Sequence, residues 1–178
     1  MNKYGAGSVD GLTIGNEVAD TPSNIMQKVW DVRTYVNNAG YQGPISTVHT
    51  WVNVMNNPVL CDADRVTVNA HAFYDGNVQA AGAGDFIRDV VLPDIKKACA
   101  PYAAVNNIVI TESGWPSRGG DYGAAVPSLS NEQAALSSLN CIAGSNNIIA
   151  FEADDSVWKN GDDNEKSKFL AHIQIQAL

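Results

Sequence analysis

The stretch Ile108-Val109-Ile110-Thr111-Glu112-Ser113-Gly114-Trp115-Pro116 changes character halfway along its length. It begins as a short, apolar, β-branched run and passes directly into polar residues and a tryptophan–proline pair. A continuous apolar run too short for a helix is typical of a strand covered on both faces, as in a parallel sheet. Proline keeps the residue before it out of the helical region, so the chain turns at Trp115. The stretch therefore predicts a buried parallel strand with Glu112 just beyond its carboxyl end.

Four more apolar, β-branched runs of this kind occur along the chain, with helical patterns between most of them. The repeated strand–helix units predict an α/β fold with a parallel sheet, either open or closed as a (β/α)8 barrel. The four runs are Leu12-Thr13-Ile14, Ile45-Ser46-Thr47-Val48, Val66-Thr67-Val68 and Ile148-Ile149-Ala150-Phe151.

The first helix is marked at both ends. Thr21 supplies a capping hydroxyl and Pro22 suits the first helical position. An apolar stripe at helical spacing follows, and Gly40 offers a stop. By contrast, the link from residue 51 to residue 64 is too short and too broken for a full helix.

Two later helices are predicted from apolar spacing and capping residues. One carries apolar positions from Phe86 to Ala98, and we expect Pro93 to kink it because proline removes a hydrogen bond and clashes with the preceding turn. The other is expected to begin at Ser130, with Gln133 completing a capping box.

Size and charge limit the classes of protein to which the chain can belong. It has 178 residues, 45% of them hydrophobic, which predicts a single globular domain over residues 1–178. Eleven basic and nineteen acidic residues give a formal net charge of −8. This charge argues against nucleic acid and anionic membrane surfaces as partners and leaves a neutral ligand open. The sequence shows neither a signal-peptide pattern nor the ~18 apolar residues of a membrane span.

The cysteines and histidines form no metal-binding pattern. Cys61, Cys99 and Cys141 are widely spaced, which fits either buried thiols or one disulfide with one cysteine left over. Without an HExxH motif, a CxxC pair or clustered histidines, no zinc site is predicted. Gly5-Ala6-Gly7 precedes the first strand, whereas a dinucleotide-binding loop follows one, so no cofactor is predicted.

Polar residues cluster where the predicted strands end. Gly15-Asn16-Glu17 follows the first strand, a stretch from Asn69 to Tyr74 follows the third, Glu112 follows the fourth and Glu152 the fifth. Ligands of parallel α/β folds sit at the carboxyl ends of the strands, so we expect Glu17 and Glu112 to point into one mouth. Two carboxylic acids in one pocket suit cleavage of a sugar–sugar bond, with one acid protonated and the other ionised.

Each of these residues also has an ordinary structural interpretation. The rings of Phe73, Tyr74 and Trp115 suit contact with a sugar, but they could equally pack in the core or shape a turn. His71 could be a hydrogen-bonded strand-end histidine, and the glutamates could be surface charges. Glu152 could form an ion pair with Lys159, and Asp75-Gly76-Asn77 is typical of a turn.

Three motifs lie at or near the ends of predicted strands: Ile14-Gly15-Asn16-Glu17, Thr111-Glu112-Ser113-Gly114-Trp115-Pro116-Ser117 and Phe151-Glu152-Ala153. Together they resemble glycoside hydrolase family 17, the β-1,3-glucanases and β-1,3-glucanosyltransferases of plants and fungi. The resemblance covers about residues 11 to 159. Two further strings, Asn69-Ala70-His71 and Cys61-Asp62-Ala63-Asp64, are most similar to the fungal cell-wall branch.

The resemblance implies a (β/α)8 TIM-barrel fold and a reaction on β-1,3-glucan that retains anomeric configuration. Glu17 matches the acid/base and Glu112 the nucleophile, and retention places their carboxyl groups about 5–5.5 Å apart. It also implies an extracellular or cell-wall location. The predicted substrate-binding residues are Asn16, His71, Phe73, Tyr74, Trp115 and Glu152.

Length is the main departure from the family, whose barrel takes roughly 250 residues. The five strands match its fourth to eighth strands, so we expect an incomplete barrel of about five βα units, with a divergent tail over residues 160–178. Unpaired edges at the first and last strands would favour self-association. Two hypotheses remain open at this point: a retaining hydrolase or transglycosylase, and a catalytically incomplete fragment or non-hydrolytic β-glucan-binding module.

Overall fold

The five apolar runs form the five strands of one sheet. The computed structural model describes residues 5–152. The strands are hydrogen-bonded in the order in which they occur along the chain, which confirms the predicted parallel α/β sheet. Their bounds are β1 Leu12–Asn16, β2 Ile45–Thr50, β3 Val66–Asn69, β4 Ile108–Ser113 and β5 Asn147–Ala150.

Five α-helices lie between the strands, and the described residues divide into two compact units. Residues 5–69 and 94–109 form the first unit, and residues 70–93 and 110–152 the second. The single domain expected over residues 1–178 stays a prediction, and the tail at 160–178 lies outside the described residues. The helices are α1 Pro22–Asn38, α2 Trp51–Asn56, α3 Ala83–Phe86, α4 Leu92–Ala98 and α5 Leu129–Ala143.

In the first unit, helix α1 has the ends that its sequence predicts. The hydroxyl of Thr21 accepts a hydrogen bond from the backbone N–H of Asn24, and Pro22 occupies the first turn. The helix packs on β2, which lies buried from Ile45 to His49. Gly40, at φ +86°, ends the segment in the left-handed region. The apolar stripe, rather than helix propensity alone, thus stabilises α1 by burial.

The link between β2 and β3 is short and broken, as expected. It holds the six-residue helix α2 and a 3-10 turn over Pro58–Cys61. Between α3 and α4 the backbone forms a π-helical turn over Ile87–Val91, just before Pro93. Proline cannot donate the hydrogen bond that an α-helix needs at that position. The kink expected at Pro93 stays a prediction, since the irregularity observed is this π turn.

In the second unit, helix α5 begins one residue before the expected start at Ser130, and its capping residue lies two positions before Ser130. The helix begins at Leu129, and the hydroxyl of Ser128 caps it by accepting from the backbone N–H of Asn131. Ser128 and Ser130 both carry a hydroxyl group and lie two positions apart in the sequence. Their Oγ atoms are 3.1 Å apart. Either could cap a helix by residue type alone, and the structure selects the earlier one.

The cysteines resolve into one disulfide and one thiol. Cys61 and Cys99 form a disulfide within the first unit, with Cα atoms 5.7 Å apart, and it links the 3-10 turn after α2 to the end of α4. Cys141 is a free, exposed cysteine on α5. Of the two alternatives open from the sequence, the disulfide with one cysteine left over is therefore correct. No described helix combines the length and apolarity needed to cross a membrane.

Removal of this disulfide should destabilise the fold. The two cysteines are 38 positions apart, and cross-linking a loop of that size lowers the entropy of the unfolded chain, a term worth about 4 kcal/mol in the chain-entropy model. We expect the Cys61→Ala/Cys99→Ala variant to lose roughly 2–4 kcal/mol of unfolding free energy in urea titrations. The control is Cys141→Ser, which should stay within about 0.5 kcal/mol of the parent protein. Equal stability of all three proteins would contradict the prediction.

Candidate active site

Glu17 occupies a strained position at the end of β1. The pairing of β1 with β2 shifts register between Thr13 and Asn16, as at a β-bulge, which re-aims the side chains that follow it. Glu17 then has φ +50°, which is uncommon for a residue other than glycine. Its backbone N–H donates to the carbonyl of Val48 at 2.8 Å. The backbone of Glu17 is therefore fixed to the end of β2.

The Glu17 carboxylate is held by a side chain from β3. Nδ2 of Asn69, the last residue of β3, donates to Oε1 of Glu17 at 2.8 Å and to Oδ1 of Asn16 at 3.0 Å. Asn69 is itself 2% exposed, so its amide is positioned by packing. The Asn69 amide thus anchors the side chains of both Asn16 and Glu17, which are predicted site residues.

His49 lies buried at the end of β2 in the same unit. Its Nε2 is 3.1 Å from Oγ1 of Thr47, and its Nδ1 has no hydrogen-bond partner within residues 5–152. Burial lowers the pKa of His49 because it disfavours the imidazolium, and the negative charge of Glu17 opposes this effect. His49 is therefore a buried, structural histidine.

In the second unit, Glu112 sits near the carboxyl end of β4. Its Oε2 lies 3.4 Å from Nε2 of His71, and both side chains are largely buried. The carbonyl of Glu112 accepts from the backbone N–H of Ala70 at 2.8 Å, which fixes the strand beside the segment that carries His71. His71 is therefore a hydrogen-bonded strand-end histidine, and the group that it contacts is the predicted nucleophile.

The three predicted aromatic residues have different environments. Phe73 and Trp115 are fully buried and pack edge to face with ring centroids 5.3 Å apart. Indole Nε1 of Trp115 donates to the carbonyl of Val126 at 3.1 Å. Tyr74 is 42% exposed and stacks edge to face on Phe73 at 5.4 Å. Burial favours the packing alternative for Phe73 and Trp115, while Tyr74 alone of the three offers ring surface to a ligand.

Glu152 is the last residue that the structure describes, and it is half-buried. The preceding residue, Phe151, donates its backbone N–H to the carbonyl of Ser113 at 3.0 Å, and its ring lies 6.1 Å from that of His71. Its proposed ion-pair partner Lys159 lies outside the described residues. The substrate-binding role of Glu152 stays a prediction.

Sequence reasoning missed the anchoring role of Asn69 and the position of Tyr122. The sequence indicated that Asn69 ends a buried strand. It did not indicate the partner of Asn69, because that contact depends on the register of three strands. Tyr122 lies in the loop after β4, and its ring is 6.4 Å from those of Phe73 and Tyr74. Nothing in the local sequence points to that contact. Within residues 5–152, no group of three or more histidine, cysteine or acidic side chains could hold a metal ion.

Comparison with known proteins identifies the family. A sequence model of the BtgE/BtgC glycoside hydrolase domain matches residues 1–169. The chain belongs to the BtgE/BtgC glycoside hydrolase family. The resemblance to glycoside hydrolase family 17 is confirmed by relatives that carry that family in their names, as follows.

Two curated relatives of the family come from yeasts. Cell surface mannoprotein MP65 of Candida albicans is 44% identical over 153 residues, covering 83% of this chain and 39% of that protein. Probable family 17 glucosidase SCW4 of Saccharomyces cerevisiae is 38% identical over 165 residues, covering 89% of this chain and 42% of that protein. The chain thus spans about two-fifths of the length of these relatives.

Solved structures confirm the fold. The family 17 β-1,3-glucanosyltransferase of Rhizomucor miehei superposes with a TM-score of 0.74 at 24% identity, covering 90% of this chain and 58% of that one. An active-site mutant of the same enzyme in complex with laminaritriose gives the same TM-score and identity. The five-stranded sheet therefore matches part of a family 17 barrel.

The buried His49 should make stability depend on pH. Its folded pKa lies below the ordinary value of 6.5, so below pH 6.5 the unfolded chain binds a proton that the folded chain disfavours. The stability contribution is fully present above pH 6.5 and is lost as the pH falls toward the folded pKa. Urea titrations from about pH 7 to 5 should show a falling free energy of unfolding, by at most about 1.4 kcal/mol per pH unit for one proton.

The difference between the parent protein and His49→Gln isolates this effect. The variant should lack this part of the pH slope. Aspartates whose pKa values are lowered by hydrogen bonds, such as Asp20 and Asp89, titrate below their ordinary value of 3.8 and act outside this window. Parallel slopes for the two proteins between pH 7 and 5 would contradict the prediction.

Proposed function

We propose that the protein containing this chain is a retaining glycoside hydrolase or transglycosylase acting on β-1,3-glucan, with Glu17 as acid/base and Glu112 as nucleophile. The observation that carries the proposal is that each glutamate lies within one residue of the carboxyl end of a strand and contacts a neighbouring polar side chain. Asn69 donates to Glu17 in the first unit, and His71 contacts Glu112 in the second. Membership of a glycoside hydrolase family supports the same chemistry.

The proposal requires both carboxylates to serve one glycosidic bond. Glu17 follows β1 and Glu112 lies at the end of β4, and the carboxyl ends of parallel strands carry the active sites of this class of fold. The two anchoring residues, Asn69 and His71, are two positions apart in the sequence. A carboxyl separation of about 5–5.5 Å, as retention requires, is part of the proposal.

In the first step, the ionised Glu112 attacks the anomeric carbon from the face opposite the leaving sugar. A bond forms between the Glu112 oxygen and this carbon, and the bond from the carbon to the glycosidic oxygen breaks. Glu17 gives its proton to that oxygen, so the leaving sugar departs as a neutral alcohol. His71, at 3.4 Å from Oε2 of Glu112, positions the attacking carboxylate.

In the second step, the ionised Glu17 takes a proton from water or from a sugar hydroxyl. The oxygen so activated attacks the anomeric carbon, and the bond to Glu112 breaks, which regenerates its carboxylate. Water gives hydrolysis and a sugar hydroxyl gives transfer. Two inversions at one carbon leave the product with the β configuration of the substrate.

The names of the relatives support the proposed substrate class and location. One relative is named a probable family 17 glucosidase, and a structure of this fold is a complex with laminaritriose. Another is named a cell surface mannoprotein, which supports an extracellular or cell-wall location. A net charge of −8 suits an uncharged glucan better than an anionic polymer.

Replacement of either glutamate should remove activity. In the full-length protein, we expect Glu112→Gln to abolish sugar release from laminarin and Glu17→Gln to lower it by roughly 10²–10⁴. Asp31→Asn, an exposed carboxylate on α1, is the control and should leave release unchanged. Release that survives Glu112→Gln would exclude this nucleophile, and binding of laminarin without any turnover in the parent would favour the glucan-binding alternative.

Azide should separate the two roles when an aryl β-glucan oligosaccharide is the substrate. In Glu112→Ala, azide replaces the missing nucleophile and attacks the anomeric carbon once, so the product is the α-glycosyl azide. In Glu17→Ala, azide attacks the glycosyl-enzyme, so the product is the β-glycosyl azide. NMR of the products distinguishes the α-glycosyl azide from the β-glycosyl azide. The β anomer from Glu112→Ala together with the α anomer from Glu17→Ala would exchange the two proposed roles.

Loss of the Asn69 amide should impair positioning rather than binding. Asn69→Ala removes the hydrogen bond to Oε1 of Glu17, and a misplacement of about 1 Å can cost about 10² in rate. We expect kcat on laminarin to fall about 10- to 100-fold with KM within about threefold. Asn37→Ala, an exposed asparagine on α1, is the matched control. A change confined to KM would contradict a positioning role.

A further inference from the structure

His49 is a buried titratable residue that the proposed mechanism does not use. It is the residue before last in β2, and its side chain is fully buried. Its Nε2 lies 3.1 Å from Oγ1 of Thr47, and the carbonyl of Thr47 accepts a hydrogen bond from the hydroxyl of Thr67 at 2.6 Å. The position of the imidazole is therefore set by burial and by a residue of β2 that is itself bonded to β3.

Glu17 and His49 are neighbours across the pairing of β1 with β2. The backbone N–H of Glu17 donates at 2.8 Å to the carbonyl of Val48, and this carbonyl belongs to the peptide group that joins Val48 to His49. Glu17 has φ +50°, and a strained backbone of this kind persists only where neighbouring contacts fix it. A displacement at the end of β2 therefore displaces the proposed acid/base as well.

Glu17 is also the acidic group whose charge acts on His49. Strands β1 and β3 and helix α2 pack on β2 and carry no titratable side chain, and β2 itself carries no other. On α1, which also packs on β2, the charged side chains form ion pairs, which are Lys28 with Asp31 and Arg33 with Asp64. Burial lowers the pKa of His49, and the negative charge of Glu17 opposes that effect. By linkage, a positive charge on His49 favours the ionised form of Glu17.

Protonation of His49 adds a hydrogen-bond donor at a buried atom. A neutral imidazole carries one N–H, so Nε2 can donate to Oγ1 of Thr47 while Nδ1 keeps only a lone pair. An imidazolium carries an N–H at both nitrogens, and Nδ1 is buried with no hydrogen-bond partner within residues 5–152. A buried donor without a partner costs free energy, and more so when it is charged. The site therefore suits the neutral ring and not the charged one.

We propose that His49 is a positioning residue for Glu17 that serves the reaction only as a neutral imidazole, so that its protonation disables the acid/base at low pH. The inference rests on the proposed function and adds His49 to it. The imidazolium attracts the Glu17 carboxylate and competes with the Asn69 amide that holds it. It also favours the ionised form of Glu17, which has no proton to give to the leaving sugar. Both effects slow the first chemical step.

Titration by NMR tests the coupling without any turnover. The imidazole signals of His49 in the full-length protein are assigned through the backbone and followed from about pH 8 to 4. Glu17→Gln removes the negative charge and keeps an oxygen that can accept from Asn69, so we expect the pKa of His49 to fall in this variant. Asp31→Asn removes an exposed carboxylate from α1 and is the matched control, which should titrate as the parent does. An unchanged or higher pKa of His49 in Glu17→Gln would overturn the coupling.

The pH dependence of kcat on laminarin tests the consequence for the reaction. As the pH falls below 6.5, we expect kcat of the parent to lose up to about tenfold per pH unit through one proton that His49→Gln does not bind. Protonation of Glu112 affects both proteins alike, so the ratio of their kcat values isolates His49.

Circular dichroism at each pH separates this effect from unfolding. A histidine that only supports the fold would lower kcat in proportion to the unfolded fraction, whereas a positioning residue lowers it in folded protein. A constant ratio of the two kcat values between about pH 7 and 4 would overturn the proposal. Failure of the proposed function is measured separately, as sugar release that persists in Glu112→Gln.

Discussion

The hydrogen bond from the Asn69 amide to the Glu17 carboxylate is the interaction on which the proposed role of Glu17 depends. A glutamate just beyond a strand end has a flexible side chain and, without a partner, no fixed direction. Asn69 supplies that direction because it is buried at the end of β3 and has little freedom of its own. The backbone of Glu17, at φ +50°, is fixed by a bond to β2. Strain of this kind persists only where the surrounding structure fixes it, and it is common at functional sites.

The strands were predictable because their signal is local. Each run is short, apolar and β-branched. The expected burial on both faces is found for β2 and β3 and is wrong for β1 and β5, whose residues are all half-buried or exposed. The start of helix α1 was also predictable, because Thr21 and Pro22 are residue types that mark the start of a helix. The start of α5 was not, because Ser128 and Ser130 can both cap a helix by residue type, and only the structure shows that Ser128 does so. The pairing of Cys61 with Cys99 depends on the approach of two distant turns, which spacing cannot encode.

The sequence named the residues of the candidate site but not their environments. Glu17 and Glu112 were candidates because the active sites of this class of fold lie at the carboxyl ends of the strands. The aromatic residues could not be sorted in the same way, because a buried ring and an exposed ring look alike in the sequence. The structure separates them by burial: Phe73 and Trp115 lie in the core, and Tyr74 reaches the surface. Tyr122 lies in a loop without a periodic hydrophobic pattern, so its place beside Phe73 and Tyr74 is seen only from the ring contacts in the structure.

In the proposed mechanism, the outcome of the second chemical step depends on which nucleophile lies near the glycosyl-enzyme. Water is always present, so transfer to a sugar requires that an acceptor be bound long enough to compete with it. Binding costs less free energy where the groups that contact the acceptor are already ordered. In the second unit, the loops after β3 and β4 are tied together, because the carbonyl of Gly76 accepts a hydrogen bond from the backbone N–H of Ala124 at 2.7 Å. The proposal therefore assigns the balance between hydrolysis and transfer to the binding of the acceptor rather than to the glutamates, which have the same roles in both reactions.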